Sequence, residues 1–200
     1  MSENLYEKIN QTAMELFREQ GYANVTVQEI CTACGITKPT FYKYVGSKEN
    51  LLLQFYEKTV HKILIGAHKF LELDSHYAQL LLIFQTLIRR TKEYGRDFFG
   101  QMFAANLARD HGSLDLQDDL TKLGVLIIRN AQKAGEIANI SDPAILYRSI
   151  AYMYTGYECM WCIKGDQLDW ETELLESIEN LLQVREDLRV TGSGEKSELL

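Results

Sequence analysis

Lysine, threonine and tyrosine side chains cluster between Gly35 and Leu51, in the stretch GITKPTFYKYVGSKENL. No aspartate or glutamate occurs from Cys31 to Lys48, although the whole chain carries a formal charge of -7. The local field is therefore expected to be positive where the rest of the molecule is acidic. Ammonium and hydroxyl groups donate hydrogen bonds to phosphate oxygens, so this stretch has the chemistry to bind a nucleic-acid backbone.

Several helix starts and stops surround this stretch. Thr26 and Glu29 have the spacing of a capping box, and Gly35 is typical of a helix end. Thr37 can cap the next helix, with Pro39 in its first turn. Two helices joined by a short glycine-containing turn, after a helix that buries their inner faces, outline a helix-turn-helix unit. The predicted helices span residues 3–20, 26–34 and 38–44.

The remainder of the chain also has helical periodicity. With 46% apolar residues and only 2 prolines in 200, long helices can run unbroken, and no strand pattern is evident. The predicted helices span residues 47–71, 76–94, 95–109, 113–134, 143–164 and 170–186. The expected fold class is all-α, and residues 191–200, which lack apolar periodicity, are expected to form a disordered tail.

Reading of duplex DNA requires a short exposed helix for the major groove, with phosphate contacts on either side. Lys48 lies in the first turn of the following helix, whose free amides attract an anion. Pro39 has no donor, so we expect it to fix the start of the reading helix. The predicted DNA-binding residues are Thr26, Thr37, Lys38, Pro39, Thr40, Tyr42, Lys43, Tyr44 and Lys48.

The order of residues across this region resembles the DNA-binding domain of the TetR/AcrR family of transcriptional regulators over about residues 5–55. The resemblance is carried by Thr26-Val27, Ile30, Cys34-Gly35-Ile36-Thr37, Thr40-Phe41-Tyr42, Tyr44-Val45, Ser47-Lys48-Glu49 and Leu51. It implies a DNA-binding domain over residues 1–46 and an effector-binding and dimerisation domain over 47–190. It also implies a homodimer, paired through the last two helices, that binds a double-stranded DNA operator and acts as a repressor released by a small effector. Pro39, Cys34 and Val45 depart from the common family pattern, which leaves base preference open.

Two further sets of residues are candidates for the functions that the resemblance implies. An apolar stripe on the last helix could form a dimer seam or could equally pack within its own subunit. The candidate interface residues are Tyr157, Trp161, Leu174, Ile178 and Leu181. Aromatic runs that hold a single carboxylate suggest core, or a cavity for a small hydrophobic, flat or cationic effector. The candidate ligand residues are His68, Phe99, Met102, Phe103, Tyr152 and Glu158.

Two C-x-x-C pairs, Cys31/Cys34 and Cys159/Cys162, could in principle hold zinc or act as a redox switch. Both pairs lie inside predicted helices about 125 positions apart, so we expect them to pack as small apolar side chains, with a thiol-sensing regulator as the alternative. A regulator without a small effector is the other alternative. No metal or cofactor is expected.

Motifs typical of enzymes are not evident in the sequence, which favours a regulator over a catalyst. The N-terminal residues do not have the pattern of a secretory signal. The most apolar window, residues 145–163, contains Arg148 and Glu158, so no membrane association is expected. A cytoplasmic location, with reduced cysteines, is therefore predicted.

Overall fold

The computed structural model describes residues 2–53, 55–65, 73–116 and 118–191, which fold as an all-helical protein. The helices are α1 (Ser2–Gln20), α2 (Val27–Cys34), α3 (Lys38–Val45), α4 (Glu49–Leu53), α5 (Phe55–Ile65), α6 (His76–Ala108), α7 (Asp118–Lys133), α8 (Pro143–Lys164) and α9 (Trp170–Leu182). Within those residues, β-type pairing is limited to an isolated antiparallel bridge between Ile137 and Val184. The predicted all-α fold class is confirmed.

Helix boundaries predicted from caps and glycines agree with α1, α2, α3 and α8 to within about two residues. Two boundaries were wrong. Residues 113–116 form bends and turns, and α7 begins only at Asp118. Helix α9 ends at Leu182 because Gln183 adopts a left-handed φ of 52° and Val184 leaves the helix to pair with Ile137.

The predicted helix over 47–71 corresponds to α4 and α5, while residues 54 and 66–72 lie outside the described residues. The two helices predicted over 76–94 and 95–109 form the single element α6, which is kinked at Gly95. Gly95 has φ 79° and ψ 171°, a combination open to glycine and strained for other residues. The predicted glycine boundary thus coincides with a break in the helical backbone, where two helical segments of α6 meet.

The chain divides into two compact units, each with its own core. The first comprises residues 1–59 and 89–115, and the second comprises residues 60–88 and 116–200, in both cases for the part that the structure describes. Residues 47–59 and 89–115 therefore pack with the first three helices. The predicted boundary after residue 46 separates a DNA-binding domain from an effector-binding and dimerisation domain by function and not by packing. It stays a prediction.

In the first unit, α1 contributes a fully buried stripe of Ile9, Ala13 and Phe17. These residues are four positions apart, as expected for one helix face, and α1 packs against α2, α3 and α4. Phe98 of α6 lies with its ring centroid 6.2 Å from those of both Phe17 and Tyr22. The second half of α6 thus shares the core of the helix-turn-helix.

In the second unit, α8 packs against α7 and α9. The ring of Tyr147 lies so close to the backbone at Gly124 that a Cβ atom there would overlap it. Glu136 caps the N-terminus of α6, since its carboxylate accepts hydrogen bonds from the amides of His76 (3.1 Å) and Tyr77 (2.7 Å). Long-range contacts of this kind fix the helices of the second unit.

The predicted tail begins within the described part of the chain. Both the amide and the hydroxyl of Thr191 donate to the buried carboxylate of Glu179, so this residue is not part of a disordered segment. Residues 192–200, the rest of that prediction, lie outside the described residues. No helix in the described ranges is long and apolar enough to cross a membrane.

Candidate nucleic-acid interface

The start of α2 is fixed by the capping box that the sequence predicts. The Thr26 hydroxyl accepts from the Glu29 amide at 3.2 Å, and the Glu29 carboxylate accepts from the Thr26 amide and hydroxyl, both at 2.7 Å. The hydrogen bond from the Thr26 amide, followed by that from its hydroxyl, holds the pKa of Glu29 below its usual value. Because the Thr26 hydroxyl already donates to Glu29, its structural role is to begin α2.

The turn between α2 and α3 depends on Gly35. Its backbone is left-handed, with φ 68° and ψ 37°. Its amide donates to the carbonyl of Thr32 at 3.2 Å, and the Ile36 amide donates to that of Cys31 at 2.9 Å, as in a Schellman motif. Lys8 of α1 adds a hydrogen bond of 2.9 Å to the carbonyl of Cys34. Three carbonyl groups at the end of α2 thus accept hydrogen bonds, and the chain reverses into α3.

Helix α3 begins as predicted at Thr37, whose hydroxyl accepts from the Thr40 amide at 3.4 Å. The hydroxyls of Thr37 and Thr40 are 2.9 Å apart and share a hydrogen bond. Pro39 occupies the first turn, where its missing donor costs nothing. Phe41 and Val45 bury the inner face of the helix, so the opposite face is presented to solvent.

Lys38, Tyr42 and Lys43 form the exposed face of α3, together with Pro39. The Tyr42 side chain is 50% exposed, and its ring packs edge-on against Phe41. The Lys43 ammonium lies 5.8 Å from the ring centroid of half-buried Tyr44. Two ammonium groups and a phenol hydroxyl therefore stand on one face of a short helix, which is the arrangement required to contact a duplex.

Lys48 is placed differently from the other predicted donors. Its ammonium donates to the carbonyl oxygens of Tyr22 at 2.6 Å and Val25 at 2.7 Å, and lies 3.9 Å from the ring centroid of Tyr22. Burial lowers the pKa of this ammonium despite nearby carboxylates that raise it, of which Glu49 is the strongest. The sequence-based expectation of a phosphate contact did not include these internal partners.

Two exposed polar residues on α2 are not among the DNA-binding residues predicted from the sequence. Gln28 and Thr32 lie one turn apart, with the Thr32 hydroxyl donating to the Gln28 carbonyl at 2.9 Å. The i, i+4 spacing of polar residues after the Thr26 cap was the available signal, because it places both on the face opposite buried Ile30 and Cys34.

The predicted ligand residues are divided between the two units. Phe99, Met102 and Phe103 are buried in the first. In the second, Glu158 is fully buried and accepts a hydrogen bond from the Tyr154 hydroxyl at 3.2 Å, whereas Tyr152 is 61% exposed. Tyr152 therefore does not line the core around Glu158. His68 lies outside the described residues.

Most of the predicted dimer residues face the interior of their own subunit. Trp161, Leu174 and Ile178 are buried in the second unit, where Trp161 stacks on Trp170 at 5.6 Å. These three residues are therefore corrected to core positions, since their side chains already have partners. Leu181 and Tyr157 are half-buried.

The cysteine pairs have different surroundings. Cys31 and Cys34 are buried, as expected for small apolar side chains, and burial raises the pKa of the Cys31 thiol. Cys159 and Cys162 are half-buried on α8. Within the described ranges, no group of three or more histidine, cysteine, aspartate or glutamate residues is arranged to hold a metal ion.

Residues 9–55 match the family model of the bacterial regulatory proteins of the tetR family. Two uncharacterized HTH-type transcriptional regulators of Bacillus subtilis are similar over short segments. YuxN is 47% identical over 60 residues, covering 28% of this chain and 21% of YuxN. YerO is 49% identical over 47 residues, covering 24% of this chain and 16% of YerO. The matched segments thus span a minor part of either relative.

A longer match extends over 156 residues of the transcriptional regulator AcuR from Cereibacter sphaeroides, at 27% identity, covering 70% of this chain and 68% of AcuR. Among solved structures, Thermus thermophilus FadR superposes with a TM-score of 0.68 at 24% identity, covering 90% of this chain and 96% of FadR. The reduced form of Escherichia coli NemR superposes with a TM-score of 0.61 at 14% identity, covering 92% of this chain and 99% of NemR. At these identities the likeness to solved structures concerns the fold.

The family match covers the residues whose caps, turn and exposed helix face are described above, and the likeness in fold extends over the greater part of the chain. The chain thus carries, over residues 9–55, the helix-turn-helix domain of the tetR family of bacterial regulatory proteins.

Proposed function

We propose that this chain is a sequence-specific, DNA-binding transcriptional repressor that acts as a homodimer in the cytoplasm. The DNA-binding part of the proposal rests on the exposed face of α3, which presents Lys38, Tyr42 and Lys43. This helix lies within a stretch of 18 residues without a carboxylate, from Cys31 to Lys48. Elsewhere the chain is acidic, so repulsion from phosphate disfavours other orientations of the protein on a duplex.

In this proposal, α3 enters the major groove of a double-stranded operator. Thr40 and Lys43 face base edges, and Tyr42 donates to phosphate. Gln28 and Thr32 of α2 lie on the exposed side of the same unit and extend the polar surface. Two such units in a dimer would read half-sites about one helical turn apart, roughly 34 Å.

The proposed dimer uses the exposed face of α8 instead of the buried stripe of α9. Ile145, Tyr152, Met160 and Ile163 are 52%, 61%, 42% and 68% exposed, and their spacing of seven, eight and three residues follows one side of the helix. A groove of about 380 Å³ continues this face, lined by Tyr157, Met160, Lys164, Gln167, Leu168 and Glu173. Exposed apolar side chains aligned in this way are typical of a surface that a partner covers.

Release of the operator by a small hydrophobic effector is the remaining part of the proposal. Thermus thermophilus FadR, similar in fold, is a repressor solved with lauroyl-CoA. In this chain, Glu158 and the Tyr154 hydroxyl form a buried polar pair beside Trp170, whose ring centroid lies 5.9 Å from that of Tyr154. Because the chain has only two tryptophans, Trp161 and Trp170, its intrinsic fluorescence would report an effector that binds near this pair.

The test is selection of bound duplexes from a random pool by the purified chain. A recovered sequence with two related half-sites supports the proposal, and recovery without sequence enrichment contradicts it. A variant with Lys38, Tyr42 and Lys43 all changed to alanine is the matched control, since these side chains lie on the exposed face of α3. It is expected to remain folded and to recover no enriched sequence.

A further inference from the structure

The loop between α1 and α2, residues 21–25, is held by side chains from two distant parts of the sequence. The Lys48 ammonium donates to the carbonyls of Tyr22 and Val25, at 2.6 Å and 2.7 Å. The Asp97 carboxylate accepts from the Ala23 amide at 2.7 Å. A cation and an anion thus bind three backbone groups of a five-residue loop, and these charge-assisted hydrogen bonds are the stronger kind.

Each of the two side chains is itself placed by a nearby feature. Lys48 immediately precedes α4. Asp97 follows the kink at Gly95 by two residues, and the next residue, Phe98, packs its ring against Tyr22 of the loop. The kink therefore brings a carboxylate and an aromatic ring to the loop together.

The position of this loop determines where α2 begins. Val25, which Lys48 contacts through its carbonyl, directly precedes the capping residue Thr26. Helix α2 then leads through the Gly35 turn into α3. Because α2 and α3 are eight residues each and rigidly capped, a displacement of the loop would move both helices relative to a bound duplex.

We propose that Lys48 and Asp97 are positioning residues for DNA binding, which orient α2 and α3 by holding the loop at residues 21–25. The inference rests on the proposed function. It assigns Lys48 a role inside the protein in place of the phosphate contact that its sequence position predicts. It also assigns a role to Asp97, which is not among the residues predicted from the sequence.

The direction in which DNA affinity changes when Asp97 is replaced distinguishes a positioning role from electrostatic repulsion alone. Asp97 is exposed, and removal of an exposed carboxylate from a DNA-binding unit by itself strengthens DNA binding, because repulsion from phosphate decreases. Loss of the hydrogen bond to Ala23 acts in the opposite direction. Asparagine removes the charge but keeps an oxygen that accepts from the amide, so the two effects can be measured apart.

The first experiment compares Asp97→Ala with Asp97→Asn, using a duplex selected from a random pool by the unmodified chain. Asp97→Ala is expected to weaken binding about 3- to 10-fold, as for loss of one hydrogen bond of ordinary net strength at an exposed position. Asp97→Asn is expected to bind at least as tightly as the unmodified chain. Glu19→Ala, at an exposed glutamate of α1, is the control for charge removal and is expected to leave binding equal or slightly tighter. Equal or tighter binding by Asp97→Ala would overturn the inference.

The second experiment measures the salt dependence of binding for Lys48→Met and Lys48→Arg. A lysine that neutralises a phosphate contributes about 0.9 to the slope of log K against log salt. Positioning instead predicts that Lys48→Met weakens binding with the slope unchanged. Lys48→Arg, whose guanidinium can donate to both carbonyls, is expected to restore affinity.

A slope lowered by about 0.9 in Lys48→Met would overturn the role of Lys48. Circular dichroism checks that each variant is folded. If Lys48→Met does not fold, the comparison of Asp97→Ala with Asp97→Asn, both at an exposed position, decides the inference. Failure of the unmodified chain to select any sequence would contradict the proposed function itself. Normal selection by the unmodified chain, with DNA affinity unchanged in Asp97→Ala, would contradict only the positioning role.

Discussion

The hydroxyl of Tyr77 donates a hydrogen bond to the buried carboxylate of Glu179 across 3.2 Å. The amide of the same tyrosine donates to the carboxylate of Glu136 at 2.7 Å. Glu179 also accepts from the Arg189 guanidinium at 3.1 Å and from the Val190 amide at 2.7 Å. One buried carboxylate thus joins the start of α6, helix α9 and the segment that follows α9.

Replacement of Glu179 by glutamine should destabilise the second unit strongly. The NH2 group of glutamine would face groups that donate hydrogen bonds to the Glu179 carboxylate, and the Arg189 guanidinium would lose its charge partner. We therefore expect a loss of about 2–4 kcal/mol in the free energy of unfolding. Tyr77→Phe removes one hydrogen bond and should cost about 1 kcal/mol. Denaturant titration measures both, with Glu176→Gln, at an exposed position of α9, as the control expected within about 0.5 kcal/mol of the unmodified chain.

Stability should fall at alkaline pH because of buried phenols. Burial, followed by the nearby charge of Glu179, raises the pKa of Tyr77, and burial alone raises the pKa of Tyr147. A raised pKa in the folded state leaves stability unaffected below pH 10, the ordinary value, and decreases it as pH rises further. Each phenol should contribute about 1.4 kcal/mol per pH unit above that point.

Denaturant titrations between pH 8 and pH 11 would measure this slope. Tyr147→Phe should reduce it by about 1.4 kcal/mol per pH unit, while Tyr42→Phe, at a tyrosine 50% exposed on α3, should leave it unchanged. An identical slope in all three proteins would show that the buried phenols do not account for the alkaline transition.

Gly35 is expected to be sensitive to substitution for reasons of backbone conformation. A Cβ atom at Gly35 would meet no neighbour within 4 Å, yet φ is +68°. Gly35→Ala should therefore destabilise the first unit by about 1 kcal/mol without a steric clash. Gly100, on α6 of the same unit, also has open space but no positive φ, so Gly100→Ala should stabilise by about 0.5–1 kcal/mol. Thermal melts should show a lower melting temperature for Gly35→Ala and a higher one for Gly100→Ala if this account is correct.

Local structure could be predicted from sequence where the determinants are close together in the chain. The caps at Thr26 and Thr37 and the turn at Gly35 involve residues within five positions of each other, and the structure confirms all three. The partners of Lys48 are 23 and 26 positions away, and Glu136 is 59 positions from Tyr77. Such pairs depend on how the helices pack, which the periodicity of a single sequence does not specify.

The same limit applies to α9, for which the sequence left a dimer seam and packing within the subunit both open. Its apolar stripe has the periodicity of a contact face, but periodicity does not distinguish a face covered by α8 of the same subunit from one covered by a second chain. Leu174 and Ile178 are buried in their own subunit. The exposed face of α8 was hidden in the sequence because that helix is apolar on nearly all sides.

Tyr42 and Lys43 should affect DNA binding in different ways. Tyr42→Phe removes a hydroxyl that we assign to phosphate, so binding to the selected duplex and to a scrambled duplex should weaken by a similar factor, about 3- to 10-fold. Lys43→Ala should change the preferred sequence, because this side chain is assigned to base edges. Repeating the random-pool selection with each variant tests the division. An unchanged preferred sequence for Lys43→Ala would contradict it.

The exposed face of α8 should determine the oligomeric state. Tyr152 and Ile163 are 61% and 68% exposed, so Tyr152→Glu/Ile163→Glu should leave each subunit folded while placing charges in the proposed interface. A stable dimer buries at least about 1,200 Å² in total, and two added charges from each subunit within such an area should shift the protein to monomer at micromolar concentration. Leu107→Glu, at an apolar position 87% exposed in the first unit, is the matched control and should remain dimeric. Sedimentation velocity distinguishes the two states, and a dimeric Tyr152→Glu/Ile163→Glu variant would move the interface elsewhere. In the monomeric variant, operator affinity should decrease much more than affinity for a single half-site, because only the dimer can contact both half-sites at once.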